Sequence, residues 1–169
     1  MRALAVLVVA TTAHAAPLAL YESREHQATT EGDAVLPCDP DVAFLAATDY
    51  TAWPRIFPDL RQVHVKQRAG NEARVTFVHS DGERADLHFK TTPSRHTLWF
   101  EQTNGDVEVW AEICFLPGEL PGTTRVHAKL HADVTGWKGA FASDGEIRAR
   151  RRQQVRDDLV QLQAFFTHR

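Results

Sequence analysis

The chain has 169 residues, with 19 Lys and Arg against 22 Asp and Glu, a formal charge of −3 with its nine His neutral. That mild acidity supplies no basic face for nucleic acid, and the length suits one domain with one sizeable core. Its two cysteines, Cys38 and Cys114, stand far apart and in no spacing typical of a metal site.

In chain order, Arg2 and the short apolar run Ala3 to Ala10 read first as a secretory signal, too short to span a membrane. Ala13-His14-Ala15 fits the small-x-small cleavage rule, so residues 1–16 form the expected signal and the mature chain begins at Ala16 or Pro17. The protein is then expected to be exported, periplasmic or secreted, with residues 17–169 as a single domain. No cysteine follows the apolar run, so a lipid anchor is not indicated. An oxidising compartment leaves a single Cys38–Cys114 disulfide open.

Between Glu25 and Leu36 we expect one edge strand. Asp39 then caps a helix that Pro40 opens, with Val42, Phe44 and Leu45 as its apolar face. The segment Asp49 to Leu60 follows, with Tyr50, Trp53 and Phe57 among Pro54 and Pro58. Proline blocks helix continuation, but Trp53 and Phe57 lie one turn apart and can share a face. So apolar and so broken a segment reads as a helical wedge closing one end of a sheet.

From Leu60 to about Val134 the alternation is that of strands. Val63 and Val65, Val75 and Phe77, then Leu87 and Phe89 fall on one face. A two-residue turn at Asp81-Gly82 would oppose Phe77 to Asp86. A three-residue loop with Gly82 left-handed restores apolar to apolar, so a bulge is expected there. The turn at Thr92-Pro93-Ser94-Arg95 places Leu98 and Phe100 opposite Phe89 and Leu87. Asn104-Gly105 is the strongest hairpin signal and sets Phe100 opposite Val109, Leu98 opposite Ala111 and Trp99 opposite Trp110.

A final strand carries Val126, Ala128, Leu130 and Ala132, facing Ile113, Ala111, Val109 and Val107. On the polar face this register sets Glu108 against His131, Glu112 against His127 and Lys129 beside Trp110, with Cys114 also outward. Such cross-strand pairs account for several histidines without catalysis. After the Gly-flanked loop Gly136-Trp137-Lys138-Gly139-Ala140-Phe141, a long helix runs from about Glu146 to Phe166. Ser143 or Asp144 caps it, and Val155, Leu159, Leu162 and Phe166 form its apolar stripe.

The order strand, helix, Asp-Tyr-x-x-Trp-Pro-x-x-x-Pro-Asp wedge, six-stranded meander, Gly-Trp loop and final helix resembles the START-like helix-grip superfamily. That group is also called SRPBCC and includes polyketide cyclases, coenzyme-Q-binding proteins and lipid-transfer domains. Asp49, Tyr50, Trp53, Pro54 and Pro58 carry the sharpest local match, with Gly136-Trp137 and the last helix in support. The resemblance covers essentially the whole mature chain. It implies an α+β fold, a curved antiparallel sheet of six to seven strands wrapped around a long C-terminal helix, with two short helices after the first strand. It also implies an apolar ligand held between sheet and last helix, with a gate at Gly136 to Phe141. The corresponding candidates are Trp53, Phe57, Phe77, Leu87, Phe89, Leu98, Phe100, Val109, Leu130, Trp137, Phe141, Val155 and Leu159.

The leading expectation is a non-catalytic binding or carrier protein for a hydrophobic small molecule, such as a lipid, sterol, quinone or polyketide. Its rival is a cyclase or dehydratase using the same pocket. Only His79 and His96 extend the inward-facing series, at strand ends and with no obvious carboxylate partner. A third class is a docking module. Arg148, Arg150, Arg151, Arg152 and Arg156 crowd the start of the last helix, and Arg148, Arg151 and Arg152 are the candidates for contact with an anionic membrane. No cofactor, zinc spacing, Ser-His-Asp order or phosphate loop is recognisable.

Overall fold

The alternating segments form one antiparallel sheet in the computed structural model, which describes residues 18–24, 26, 28–105, 107–134 and 143–168. The proposed signal segment and the loop bearing Trp137 and Phe141 lie outside the described residues. The strands are β1 (Ala19–Glu22), β2 (Thr29–Leu36), β3 (Leu60–Ala69), β4 (Glu72–His79), β5 (Arg84–Thr92), β6 (Thr97–Gln102), β7 (Val107–Pro117) and β8 (Thr124–Val134). They pair in the order β1-β2-β8-β7-β6-β5-β4-β3 in a curved sheet. Helix α1 (Pro40–Thr48), a 3-10 turn (Tyr50–Ala52) and α2 (Trp53–Ile56) join β2 to β3, and α3 (Asp144–Thr167) closes the chain. No described helix is long and apolar enough to cross a membrane.

The sheet has eight strands instead of the expected six or seven, and the two short helices follow the second strand. β1 has only four residues, too few for a visible alternation, and it is the true edge. The strand expected at the edge is β2, which lies between β1 and β8.

The bulged turn after His79 is as expected. Gly82 has φ 91°, His79 N–H donates to the Glu83 carbonyl at 2.9 Å, and Phe77 opposes Ala85. The next three hairpins each shift by two residues. Pro93–Arg95 forms a 3-10 turn followed by left-handed His96 (φ 46°), which lengthens the loop and sets Phe89 opposite Phe100. Asn104 does not make a tight two-residue turn. Its side chain accepts from Asp86 N–H at 2.8 Å and donates to the Arg84 carbonyl at 3.2 Å, stitching the hairpin to β5. Phe100 therefore meets Ala111, Leu98 meets Ile113 and Trp99 meets Glu112. Likewise Ala128 meets Ile113 and Leu130 meets Ala111. Because side chains alternate with period two, a shift of two preserves which face is apolar.

The outer face changes partners with the register. Glu108 opposes Asp133, Lys129 pairs with Glu112 at 3.9 Å, and Trp110 stacks on His131 with ring centroids 5.1 Å apart. Lys90, not Lys129, supplies a cation over a tryptophan, Trp99, at 5.1 Å. Cys38 and Cys114 are not bridged. Cys38 packs on the inner core, whereas Cys114 stands outward beside Thr97, with the sheet between them.

α1 buries Ala43, Phe44 and Ala47, while Val42 and Leu45 are 45% and 67% exposed. Phe44 alone of the three expected apolar residues faces the core, because alanines let the helix lie close to β6, β7 and β8. Beneath it and the wedge that follows, Leu36, Phe89, Leu98, Phe115 and Val126 make a filled core. The wedge continues that core. Trp53 Nε1–H donates to the Ala47 carbonyl at 2.9 Å, and its ring meets Phe57 and Phe77 at 5.1 Å and Phe89 at 5.6 Å.

Candidate functional site

α3 begins with a reciprocal cap. Ser143 Oγ accepts from Glu146 N–H at 3.3 Å, and Glu146 Oε2 accepts from Ser143 N–H at 3.1 Å. From there Ile147, Arg150, Arg151, Gln154, Val155, Asp158, Leu159 and Leu162 recur at three- and four-residue spacing along the side facing the sheet. Opposite them stand Phe77, Leu87, Phe100, Val109, Ile113 and Leu130, with the small Ala85, Ala111, Ala128 and Ala132 between. The alanines leave depth that the first half of α3 does not fill, since Arg150 and Gln154 turn to solvent. The result is a cavity of about 690 Å3, within the size range of small-molecule sites.

The lining residues that reach solvent are Asp59, Glu146, Arg150 and Gln154, which puts the mouth between the Phe57–Asp59 segment and the N-terminal half of α3. The wedge thus has two roles. Trp53 forms the floor between the cavity and the filled core, and its C-terminal end reaches the rim.

Of the sequence candidates, Trp53, Phe57, Phe77, Leu87, Phe100, Val109, Leu130, Val155 and Leu159 line the cavity. Phe89 and Leu98 do not. Both are fully buried in the filled core, Phe89 against Tyr50 and Trp53. Trp137 and Phe141 lie outside the described residues.

The two histidines separate. His79 lines the cavity and does have a carboxylate partner, with Nδ1 3.5 Å from Asp59 Oδ2. His96 points elsewhere: Nε2 is 2.8 Å from Asp41 and its ring packs on Phe44 at 5.4 Å. The arginines separate as well. Arg151, expected to face a membrane, is 6% exposed, with Nη2 2.7 Å from Glu22 Oε2 and Nε–H donating to Thr30 Oγ1 at 2.9 Å. It faces the sheet because it falls in step with Val155, Leu159 and Leu162 on the inner stripe.

Asp158 is not among the sequence candidates. Gln154 Nε2–H donates to its Oδ1 at 2.8 Å, and Oδ2 accepts no hydrogen bond among the described residues. Burial against the cavity walls pushes its carboxyl up to about 7. The negative charges of Asp59 and Asp157 add to that effect, and the Gln154 hydrogen bond opposes it. A signal is present in the chain: an aspartate three residues after Val155 and four before Leu162 falls on the sheet-facing side of the helix, where it is half-buried. No set of three His, Cys, Asp or Glu side chains among the described residues is placed to hold a metal ion.

No protein-family model matches the chain, and no curated protein matches it in sequence. Its likeness to known proteins is one of shape. A Thermus thermophilus protein, TTHA0849, superposes with a TM-score of 0.71 at 17% identity, over 83% of this chain and 97% of that one. The Zhui aromatase/cyclase of a Streptomyces species gives 0.66 at 15% identity, over 83% and 92%. A START superfamily protein from Mycobacterium smegmatis gives 0.64 at 12% identity, over 83% and 97%. The chain has the START-like helix-grip fold. At these identities the likeness establishes the fold alone.

Proposed function

We propose that the protein binds and carries a hydrophobic small molecule in the cavity between the sheet and α3. The observation that carries this reading is the 690 Å3 cavity with walls of Phe77, Leu87, Phe100, Leu130, Val155 and Leu159. Apolar ligand surface gains about 25 cal/mol per Å2 on burial, so some 300 Å2 would contribute roughly 7 kcal/mol before the costs of association. The aromatase/cyclase and START neighbours add support at the level of the fold. Native purification followed by organic extraction tests the reading. A co-purifying apolar compound in stoichiometric amount is expected, and clean extracts from several hosts and media would count against a carrier. Export is part of the proposal, and N-terminal sequencing of secreted protein should find Ala16 or Pro17 first.

A second reading, a cyclase or dehydratase, draws on Asp158 and the Asp59–His79 pair at the same cavity. His79→Ala should leave binding intact under the carrier reading and abolish turnover under the enzyme reading. Membrane docking at the mouth would rest on Arg148 and Arg152 without Arg151, and liposome flotation dependent on anionic lipid is its test.

A further inference from the structure

The cavity is apolar along its walls but not at its mouth. Asp158, on α3, lines it with Oδ2 accepting no hydrogen bond among the described residues, and its Oδ1 is held by Gln154. Asp59, at the C-terminal end of the wedge, lines the same cavity with a side chain 54% exposed. The two carboxyls lie near enough for the charge of Asp59 to bear on Asp158.

Arg150 lines the same mouth, and the other cations nearby are engaged elsewhere. Arg151 is engaged with Glu22 and Thr30, and Lys129 with Glu112. Arg150 lies two turns before Asp158 and faces solvent. His79 approaches Asp59 at 3.5 Å and supplies positive charge only when protonated. An apolar cavity therefore ends in two carboxyls, and no cation among the described residues is paired to Asp158.

We propose that the ligand is an apolar molecule bearing a basic nitrogen, seated with its ammonium group between Asp158 and Asp59. This rests on the binding reading and adds the chemical class of the ligand. A neutral amine entering the site takes the proton of a neutral Asp158, leaving an ammonium–carboxylate pair inside low-dielectric walls. Asp59 adds a second negative charge from the rim. A fatty carboxylate would meet the negative charge of Asp59 and could form no such ion pair with Asp158, and an alcohol would gain one hydrogen bond without a charge.

The test uses three probes with the same chain, dodecylamine, dodecanol and dodecanoate, each displacing an apolar fluorophore from the whole protein near neutral pH. Dodecylamine should bind about tenfold or more tighter than dodecanol, and dodecanoate weaker than both. Asp158→Asn should reduce the amine's advantage over dodecanol to within about threefold. Should that variant fail to fold, Asp59→Asn at the exposed rim should still narrow the amine preference. Glu119→Gln, on the loop between β7 and β8, removes the same net charge and should leave the preference intact.

Dodecanol binding with no amine advantage, or an advantage that survives both Asp→Asn changes, would overturn this inference and leave the binding reading standing. Failure of all three probes to bind would overturn both.

Discussion

Arg151 Nη2 lies 2.7 Å from Glu22 Oε2, which ties the second turn of α3 to the end of the edge strand β1. Thr30 Oγ1 completes the link, accepting from Arg151 Nε–H at 2.9 Å while donating to Glu22 Oε1 at 3.1 Å. The roof of the cavity is thus fastened to the sheet by an ion pair in which Arg151 is buried and Glu22 is 32% exposed. Removing Arg151 takes away these charge-assisted hydrogen bonds and leaves Glu22 with Arg152 at 4.0 Å. Arg151→Ala should destabilise the fold by about 1.5–3 kcal/mol, read from urea denaturation, whereas Arg148→Ala on the exposed side of α3 should change it by less than about 0.5 kcal/mol. Equal small effects would show that the pair does not hold the helix.

Gly32 in β2 provides the close approach on which α3 rests. A Cβ there would lie 2.7 Å from Leu159 Cδ1, 2.8 Å from Val155 Cγ1 and 2.9 Å from Leu20 Cδ2. Leu159 of α3 and Leu20 of β1 present the ends of flexible side chains and can yield, while the β-branched Val155 moves only with the helix. Gly32→Ala also restricts the unfolded chain, which offsets part of that cost. The expected net loss is about 1–2 kcal/mol. Since Val155 and Leu159 line the cavity, apolar-probe affinity should change with it. A variant with unaltered melting and unaltered probe affinity would contradict this packing.

Trp53 joins the filled core to the cavity floor. Trp53→Phe loses the 2.9 Å hydrogen bond to the Ala47 carbonyl and part of the ring contact with Phe77 and Phe100, and should cost about 1–2 kcal/mol. Trp53→Ala should cost about 3–5 kcal/mol and open the cavity towards Phe89. Chemical denaturation would measure the first, and a shift in preference towards bulkier apolar probes the second.

What can be read from residues alone divides by the length over which a signal is averaged. The facing of Phe77, Leu87, Phe100, Leu130, Val155 and Leu159 is legible because each repeats a period that several neighbours share. Pairing partners are not, because register depends on single loops. Asn104-Gly105 has the pattern of a tight turn, yet the Asn104 side chain serves β5, and Pro93 starts a helical turn that lengthens the preceding connection. Open space is also hidden. Phe89 and Leu98 have the same pattern as Phe100, and only α1 and the Tyr50–Trp53 wedge lying over one end of the sheet separate filled core from cavity. Charge masks the rest of the inner stripe: Arg151 stands in a run of arginines that reads as a solvated face, and Asp158 stands beside Asp157 as an ordinary acidic pair.

Asp158 gives a pH dependence of definite sign. Burial raises its carboxyl from the ordinary 3.8 to about 7, so between those values the folded protein holds a proton that the unfolded chain has released. Its contribution is fully present below about pH 4 and is lost as pH rises through about 7. Asp86 acts in the opposite direction. Hydrogen bonds from Lys66 and Thr76 hold it below the usual range, and its contribution is lost on acidification. The Asp158 part is therefore isolated by comparing wild type with Asp158→Asn, which keeps an uncharged polar group at the position. From pH 5 to pH 8 the wild type should lose on the order of 1–3 kcal/mol relative to the variant. Melting curves across that range would show the two diverging, with the variant less sensitive to pH. Parallel curves would mean that Asp158 is ionised throughout and that the cavity wall beside it is wet.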